Sequence, residues 1–411
     1  MMPLRLPTSS PVFLIAAVCT AQVLAQLGAF TFFALLPTFF QEWGLSHSQA
    51  GILNGIIFGA YALIVPFVVP LTDRIDPRRI YICAVVLTTF SHLGMAFIAD
   101  GFWDGFVFRA LAGIGWGGTY MVGLKALADL VEGPTQSRAV AFHAASIGIG
   151  GSLSFVLAGW AADSVSWQTA FQISAAGSFL ALLVMAFLVP RRTPVPLDDQ
   201  GWLSTFIRAL KNKSAIAYSL GYLVHTWEMF TLRSWVVTFL VFTAAQEGGP
   251  PNFLIPTVIA MLMELTGTAS SVFGNEVAIR VGRRRWILMV MFASMAMGAI
   301  VGFSAGAGYG VAATICLIYN VLIYADSASL TAGAVGTAEP GRRGATLAVH
   351  GMLGYGGGFV GPLFLGVILD VLGGETVMNW GIAFAHVSVI MVIGPLAIKL
   401  LKPGELPGDK V

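Results

Sequence analysis

The sequence predicts an all-α membrane protein of about twelve transmembrane helices in two pseudo-symmetric six-helix bundles, and three observations carry that prediction. Of 411 residues, 57% are hydrophobic and only 10% charged, far from the balance of soluble domains. Twelve apolar runs are long enough to cross about 30 Å of hydrocarbon. One stretch of the first half also reappears in the second.

The predicted spans, numbered 1 to 12, cover residues 12–36, 50–71, 79–99, 104–128, 139–161, 168–189, 215–242, 254–278, 286–305, 309–333, 345–369 and 379–400. The run after Arg5 is too long for a signal-peptide core and lacks a convincing cleavage site, so it stands as span 1. Charge placement tests the count, because lysine and arginine accumulate in cytoplasmic loops. With both termini cytoplasmic, Arg74, Arg78 and Arg79 share one inner loop, Arg191 to Lys213 the central one, and Arg280 to Arg285 a third. Arg138, Arg342, Arg343 and the C-terminal lysines also fall inside. The outer loops hold Glu42, Asp100, Asp163, Glu247, Asp370 and Glu375, with no lysine or arginine. The expected location is the bacterial inner membrane.

Residues 190–214 form the one long polar segment, rich in proline and charge, with Trp202 to Leu210 patterned as an interfacial helix. They divide the chain into an N-terminal bundle, 1–189, and a C-terminal bundle, 215–411. Residues 143–163 align without gaps on 350–370: His143 meets His350, Gly150 and Gly151 meet Gly357 and Gly358, Gly159 meets Gly366, and Asp163 meets Asp370. A single offset across so many positions indicates duplication, and parallel six-helix repeats are one transporter architecture.

Span 7, YSLGYLVHTWEMFTLRSWVVTFLVF, places His225, Glu228 and Arg233 near the middle of a membrane crossing. Each buried charge costs on the order of 2.5–3.5 kcal/mol on insertion scales, so it persists only beside a partner or a cavity. His225, Met229 and Arg233 recur every fourth residue and form one stripe. Other polar groups within spans are Gln22 and Gln26 in span 1, Arg109 and Tyr120 in span 4, Glu264 in span 8, and Tyr319, Asn320, Tyr324 and Asp326 in span 10.

Each has a structural alternative. The glutamines serve equally as interhelical glue, the tyrosines as packed aromatics, and His143 and His350 as braces near the cytoplasmic ends. Arg109, Glu228, Arg233, Glu264 and Asp326 would also make structural ion pairs. Unpaired at midplane, these five charges would cost on the order of 12–18 kcal/mol. Pairing is compatible with transport, since an acid beside an arginine has a tunable proton affinity. The three cysteines lie in apolar runs without ligand spacing, so no disulfide, metal site or cofactor is indicated. His225-x3-Met229 with Met261 and Met263 is a soft set suited to Cu(I), but methionine is common in membrane cores. The glycine-rich 354–361 lies within span 11 and is no nucleotide loop, so neither enzyme chemistry nor nucleic-acid binding is expected.

VPLTDRIDPRR after span 2 and RALAGIGWGG in span 4 resemble the GxLaDrxGRR loop and RxxxGxG motif of the major facilitator superfamily, with NEVAIRVGRRR after span 8 as the duplicate of the first. The resemblance covers essentially the whole chain. Val69 replaces a close-contact glycine, Asp76-Pro77 replaces Gly-Arg, Ile279 stands where the duplicate's acid would be, and span 5 lacks the antiporter proline. The resemblance implies a secondary transporter, monomeric in the family's manner, whose cavity is lined by spans 1, 4, 7 and 10. It also implies a cytoplasmic gate built from Asp73, Arg74 and Arg78, with Asp129 as partner.

On this basis a small solute is expected to bind Arg233, Arg109, Gln22, Gln26, His225, Trp227, Trp235, Tyr319, Asn320 and Tyr324. A coupling proton is expected on Glu228, Glu264 or Asp326. Arginine favours an anion, because its planar fork holds two oxygens. Proton-driven export of cationic or amphipathic compounds is the alternative within transport, and a receptor or scaffold the alternative outside it.

Overall fold

The computed structural model describes residues 10–131, 134–192, 202–250, 254–340, 342–404, 406 and 409, and among them the secondary structure is entirely helical. Ten helices are long and apolar enough to cross a membrane. They are span 2 (His47–Leu71), span 3 (Pro77–Phe97), span 5 (Pro134–Ser164), span 6 (Trp167–Leu188), span 7 (Lys213–Ala245), span 8 (Pro256–Val281), span 9 (Arg283–Val301 with Gly302–Ala307), span 10 (Tyr309–Tyr324 with Ser327–Gly336), span 11 (Arg343–Val371) and span 12 (Val377–Met391 with Ile393–Leu401). The segment from Trp202 is helical, as Trp202–Lys211.

Spans 1, 4 and 10 depart from the uninterrupted helices the sequence predicts. Span 1 is Pro11–Ala25, Thr31–Ala34 and Leu36–Glu42, and span 4 is Phe102–Gly117 and Tyr120–Leu130. Hydropathy could not show these breaks, because they turn on tertiary partners. A freed backbone group inside a bilayer must find a partner within the protein. The Phe30 N–H donates to Ser154 Oγ at 3.0 Å, and Thr31 Oγ1 lies 3.0 Å from Ser174 Oγ. Gly28 is required at the bend, since a Cβ there would stand 2.2 Å from His92 Nε2. Thr119, at the break in span 4, donates to the Trp116 carbonyl at 2.9 Å.

The duplication reaches well beyond the segment legible in the sequence. Span 4 begins at Phe102, pauses after Gly117 and resumes at Tyr120; span 10 begins at Tyr309, pauses after Tyr324 and resumes at Ser327. Each pair lies 207 residues apart, the offset between His143 and His350, and the ends of spans 5 and 11, Ser164 and Val371, keep it too. The break in span 10 is therefore the duplicate of the break in span 4.

Span 2 lies along span 11, and span 5 along span 8. A Cβ on Gly55 would come 2.3 Å from the Phe359 carbonyl oxygen, so this helix crossing requires the missing side chain. Aromatic rings fill the seam between the halves. Phe58 and Phe230 have centroids 3.7 Å apart, Tyr61 and Tyr355 3.9 Å, and Trp116 stands edge-on to Tyr355 at 5.8 Å. Large apolar side chains such as Phe97, Phe187 and Phe273 cover the outer surface, as a lipid solvent demands.

Candidate functional site

Three groups of buried polar side chains occupy the second half. In the first, Arg233 forms a two-point ion pair with Glu264 of span 8: Nε lies 2.5 Å from Oε1, and the NH2 nitrogen donates to Oε2 at 3.0 Å. The guanidinium also stands over Phe30 of span 1 at 4.6 Å, Phe230 at 5.0 Å and Tyr324 at 5.6 Å. Arg233 thus lies where the first half meets the second. Glu264 reaches the same seam, because its Oε2 is one of the atoms nearest Gly151 of span 5.

The second group joins spans 7, 9 and 10. Glu228 Oε1 accepts hydrogen bonds from Ser294 Oγ at 2.6 Å and Tyr319 OH at 2.7 Å. In the third, His225 Nδ1 lies 3.0 Å from Asp326 Oδ1, with both side chains at most 2% exposed. Neither atom is aligned for a hydrogen bond, so the contact is an ion pair by distance. His225 stacks on Tyr222, which stacks on His350; the His350 ring nitrogens lie 3.2 Å from Ser219 Oγ and Thr331 Oγ1.

The first half differs. Arg109 spends its Nε–H on the Leu53 carbonyl and an NH2 hydrogen on the Asn54 carbonyl at 3.4 Å, and its guanidinium lies 4.3 Å from the Phe32 ring centroid. Gln22 Oε1 accepts from Tyr81 OH at 3.3 Å. Gln26 Nε2 has no partner; the residue lines a small cavity beside His92, Trp116 and Thr119.

Several sequence expectations need correction. His225 is engaged with Asp326 and does not share a ligand face with Arg233. Trp227 points away from the seam: its Nε1–H donates to His386 Nε2 of span 12 at 3.0 Å, and its ring stands edge-on to Phe364. Their eight- and six-residue spacings from Arg233 place different helix faces against spans 10 and 12. Trp235 packs against Phe40, His47 and Trp380 and donates to the Pro362 carbonyl at 3.0 Å, which makes it part of a closure at one end. Asn320 donates to the Met263 carbonyl at 2.7 Å. Arg78 donates to the Met185 and Ala186 carbonyls of span 6, within its own half. Asp73 is half-buried and Arg74 exposed, whereas the Asp129 side chain lies outside the described residues.

Sequence reasoning missed the closure at the acidic end. Span 2 begins with Ser46 accepting from Gln49 N–H at 3.1 Å. The two remaining N–H groups of that turn, on His47 and Ser48, donate to the carboxylate of Asp370 in span 11 at 3.0 and 2.7 Å. His47 Nδ1 lies 2.8 Å from the same carboxylate, and its Nε2 3.8 Å from Glu375. A carboxylate at a helix N-terminus is favoured by the dipole and by the free donors. The signal in the sequence was an acid alone at the end of span 11, whose partner lies 323 residues away.

Broken membrane helices, a 207-residue duplication and charges at the seam of the halves describe a known fold, and the model of the Major Facilitator Superfamily matches residues 18–362. The chain belongs to that superfamily. It is an integral membrane protein of a family of secondary transporters. Protein spinster homolog 3 of Danio rerio is 25% identical over 243 residues, covering 57% of this chain and 49% of that protein. Protein spinster homolog 1 of Homo sapiens is 22% identical over 287 residues, 66% and 54% respectively. The chain thus spans about half the length of these curated relatives. Among solved structures, a bacterial homologue of the human lysosomal transporter Spinster, inward-facing and unoccupied, superposes with a TM-score of 0.73 at 14% identity, covering 96% of this chain and 95% of that one. The nucleoside transporter NupG gives 0.77 at 13% identity, covering 94% and 99%.

Proposed function

We propose that this superfamily member is a proton-coupled symporter of a small organic or inorganic anion, working by alternating access of residues 1–189 against residues 215–411 about the linker 190–214. The observation that carries the reading is the Arg233–Glu264 fork at the seam, roofed by Phe30 of the opposite half. An anion with two oxygens fits the guanidinium as Glu264 does. When it takes the fork, Glu264 loses its counter-charge and binds a proton. The site is then neutral in both states: arginine with glutamate, or arginine with anion and protonated glutamic acid. Neutrality matters because an unbalanced charge in the membrane interior is costly. Anion and proton therefore enter together.

An exporter of cations requires an acid turned toward the aromatic seam without a partner of its own. Among the described residues, Glu228, Glu264 and Asp326 are each engaged within the second half. Orientation with both termini cytoplasmic follows from the arginine distribution.

The test is thermal stabilisation of the purified protein by monocarboxylates, phosphate, sulfate and organic cations. Anions should stabilise, more strongly at lower pH. Arg233→Lys, which keeps charge and loses the fork, should weaken apparent affinity about tenfold, since a charged hydrogen bond contributes roughly 1.5–3 kcal/mol. Stabilisation by cations alone, or an Arg233→Lys protein with unchanged anion affinity, would overturn the reading.

A further inference from the structure

A second buried arginine–carboxylate fork stands at the end of the molecule that carries the arginine-rich loops. Arg283 opens span 9 directly after Gly282 and is 3% exposed. Its Nε–H donates to Asp409 Oδ2 at 2.8 Å and its NH2 nitrogen to Oδ1 at 3.0 Å. The remaining nitrogen, NH1, donates to Asn275 Oδ1 of span 8 at 2.9 Å and to the Ser329 carbonyl of span 10 at 3.2 Å. The Asp409 side chain is equally buried, at 3%. Asn275 lies 11 residues beyond Glu264 along span 8, about 16 Å at the helical rise, so this fork is separate from that of Arg233.

The carboxylate comes from far away in the chain. The loop after span 8 has Ile279 where the loop after span 2 has Asp73, and a buried guanidinium needs a counter-charge from elsewhere. In the first half the loop secures itself on its own bundle, because Arg78 donates to the Met185 and Ala186 carbonyls of span 6. In the second half the partner lies past the end of span 12. Lys402 closes that helix in the left-handed conformation, with φ 45°. The Gly404 N–H then donates to Ser214 Oγ at 3.0 Å, and the Gly404 carbonyl accepts from Tyr218 OH at 3.4 Å, both at the start of span 7. Leu406 rests on the end of span 10, since a Cβ on Gly336 would stand 2.5 Å from its Cδ2. Asp409 reaches Arg283 where spans 8 and 9 meet, 126 residues away in sequence.

We propose that Arg283 is a carboxylate-binding site filled in cis by Asp409, and that the segment after span 12 is a strap fastened there. The site recognises a small planar carboxylate. Two parallel N–H groups of the guanidinium meet its two oxygens, while Asn275 and the Ser329 carbonyl hold the third nitrogen and fix the plane of the fork. With the strap fastened, spans 7, 8, 9 and 10 are tied together at this end and the buried charge is balanced. Without the Asp409 carboxylate, Arg283 keeps only neutral oxygens as partners, and the site accepts a free carboxylate in its place. The inference uses no step of anion symport, so it stands or falls apart from that reading.

Chemical rescue of the full chain in detergent, read by melting temperature, tests it without a transport substrate. Asp409→Ala removes the carboxylate and should lower the melting temperature by about 5–10 °C, because a buried cation loses its partner. Formate should recover at least half of that loss, and chloride at equal ionic strength should not. The recovery should persist in Arg233→Lys/Asp409→Ala, which excludes the other fork as its source, and vanish in Arg283→Gln/Asp409→Ala. Asp409→Asn, whose amide still fills the site, should melt between the parent and Asp409→Ala and gain nothing from formate. The strap itself is read by cross-linking in a background with Cys19, Cys83 and Cys316 replaced by serine. Gly336→Cys/Leu406→Cys should form a disulfide under mild oxidation, and roughly tenfold more slowly once Asp409→Asn is added, since a charged hydrogen bond is lost. An Asp409→Ala protein that melts with the parent, a loss that formate does not recover, recovery that survives Arg283→Gln, or equal cross-linking rates would overturn the proposal.

Discussion

The two halves share a backbone plan and differ in charge. Bends recur at Gly118–Thr119 and Ala325–Asp326, and spans 5 and 11 end 207 residues apart. Yet among the described residues in the membrane interior the first half buries one full charge, Arg109, held by backbone carbonyls and phenylalanine faces, whereas the second buries Glu228, Arg233, Glu264 and Asp326. The same asymmetry marks the acidic end. Asp370 caps the start of span 2 through two N–H groups; its duplicate, Asp163, is exposed, and span 8 opens on Pro256, which has no N–H to offer. Duplication fixed where helices bend and cross. Divergence decided which copy carries ions.

If that division holds, the largest effect should come from breaking the fork. Arg233→Gln leaves Glu264 buried without its cation and should cost roughly 3–5 kcal/mol, read as a lower melting temperature in detergent. The Arg233→Gln/Glu264→Gln double variant should recover most of the loss without recovering anion stabilisation. Next comes a charge placed in the passive copy. Thr119→Asp puts a carboxylate at the position equivalent to Asp326, buried at 2% exposure, and should cost on the order of 2.5–3.5 kcal/mol. A Thr119→Asp protein as stable as the parent would mean that the first half can host a charge as well.

The acidic-end closure should respond more mildly. Asp370→Asn keeps an acceptor but loses the charge at the helix N-terminus, worth about 1–2 kcal/mol or roughly tenfold in population. Labelling of Phe40→Cys, which packs against His47 and Trp235, by a membrane-impermeant maleimide should accelerate accordingly. Equal labelling rates would show that the helix crossing alone holds this end shut. The smallest effect is expected at Trp227, where Trp227→Phe removes one hydrogen bond to His386 for about 0.5–1.5 kcal/mol. Anion affinity should not change, and a clear loss would return Trp227 to the binding site.

By itself the sequence determined the membrane class, the helix count, the duplication and the short list of buried charges. Each of these follows from local composition or from a repeat that survives in the letters. The charged residues stood out because apolar neighbours on both sides leave no other reading. Only the tertiary structure decided how they pair: Arg233 with Glu264, His225 with Asp326, Glu228 with Ser294 and Tyr319. Helical spacing fixes the face a side chain occupies but not which span lies opposite. That is why Trp227, six residues from Arg233, belongs to the outer wall and His225, eight residues away, to the bend of span 10. The breaks in spans 1 and 4 were illegible for a related reason. A membrane helix breaks where another span offers a hydroxyl or room beside a glycine, and Ser154 lies 124 residues from the Phe30 amide it accepts.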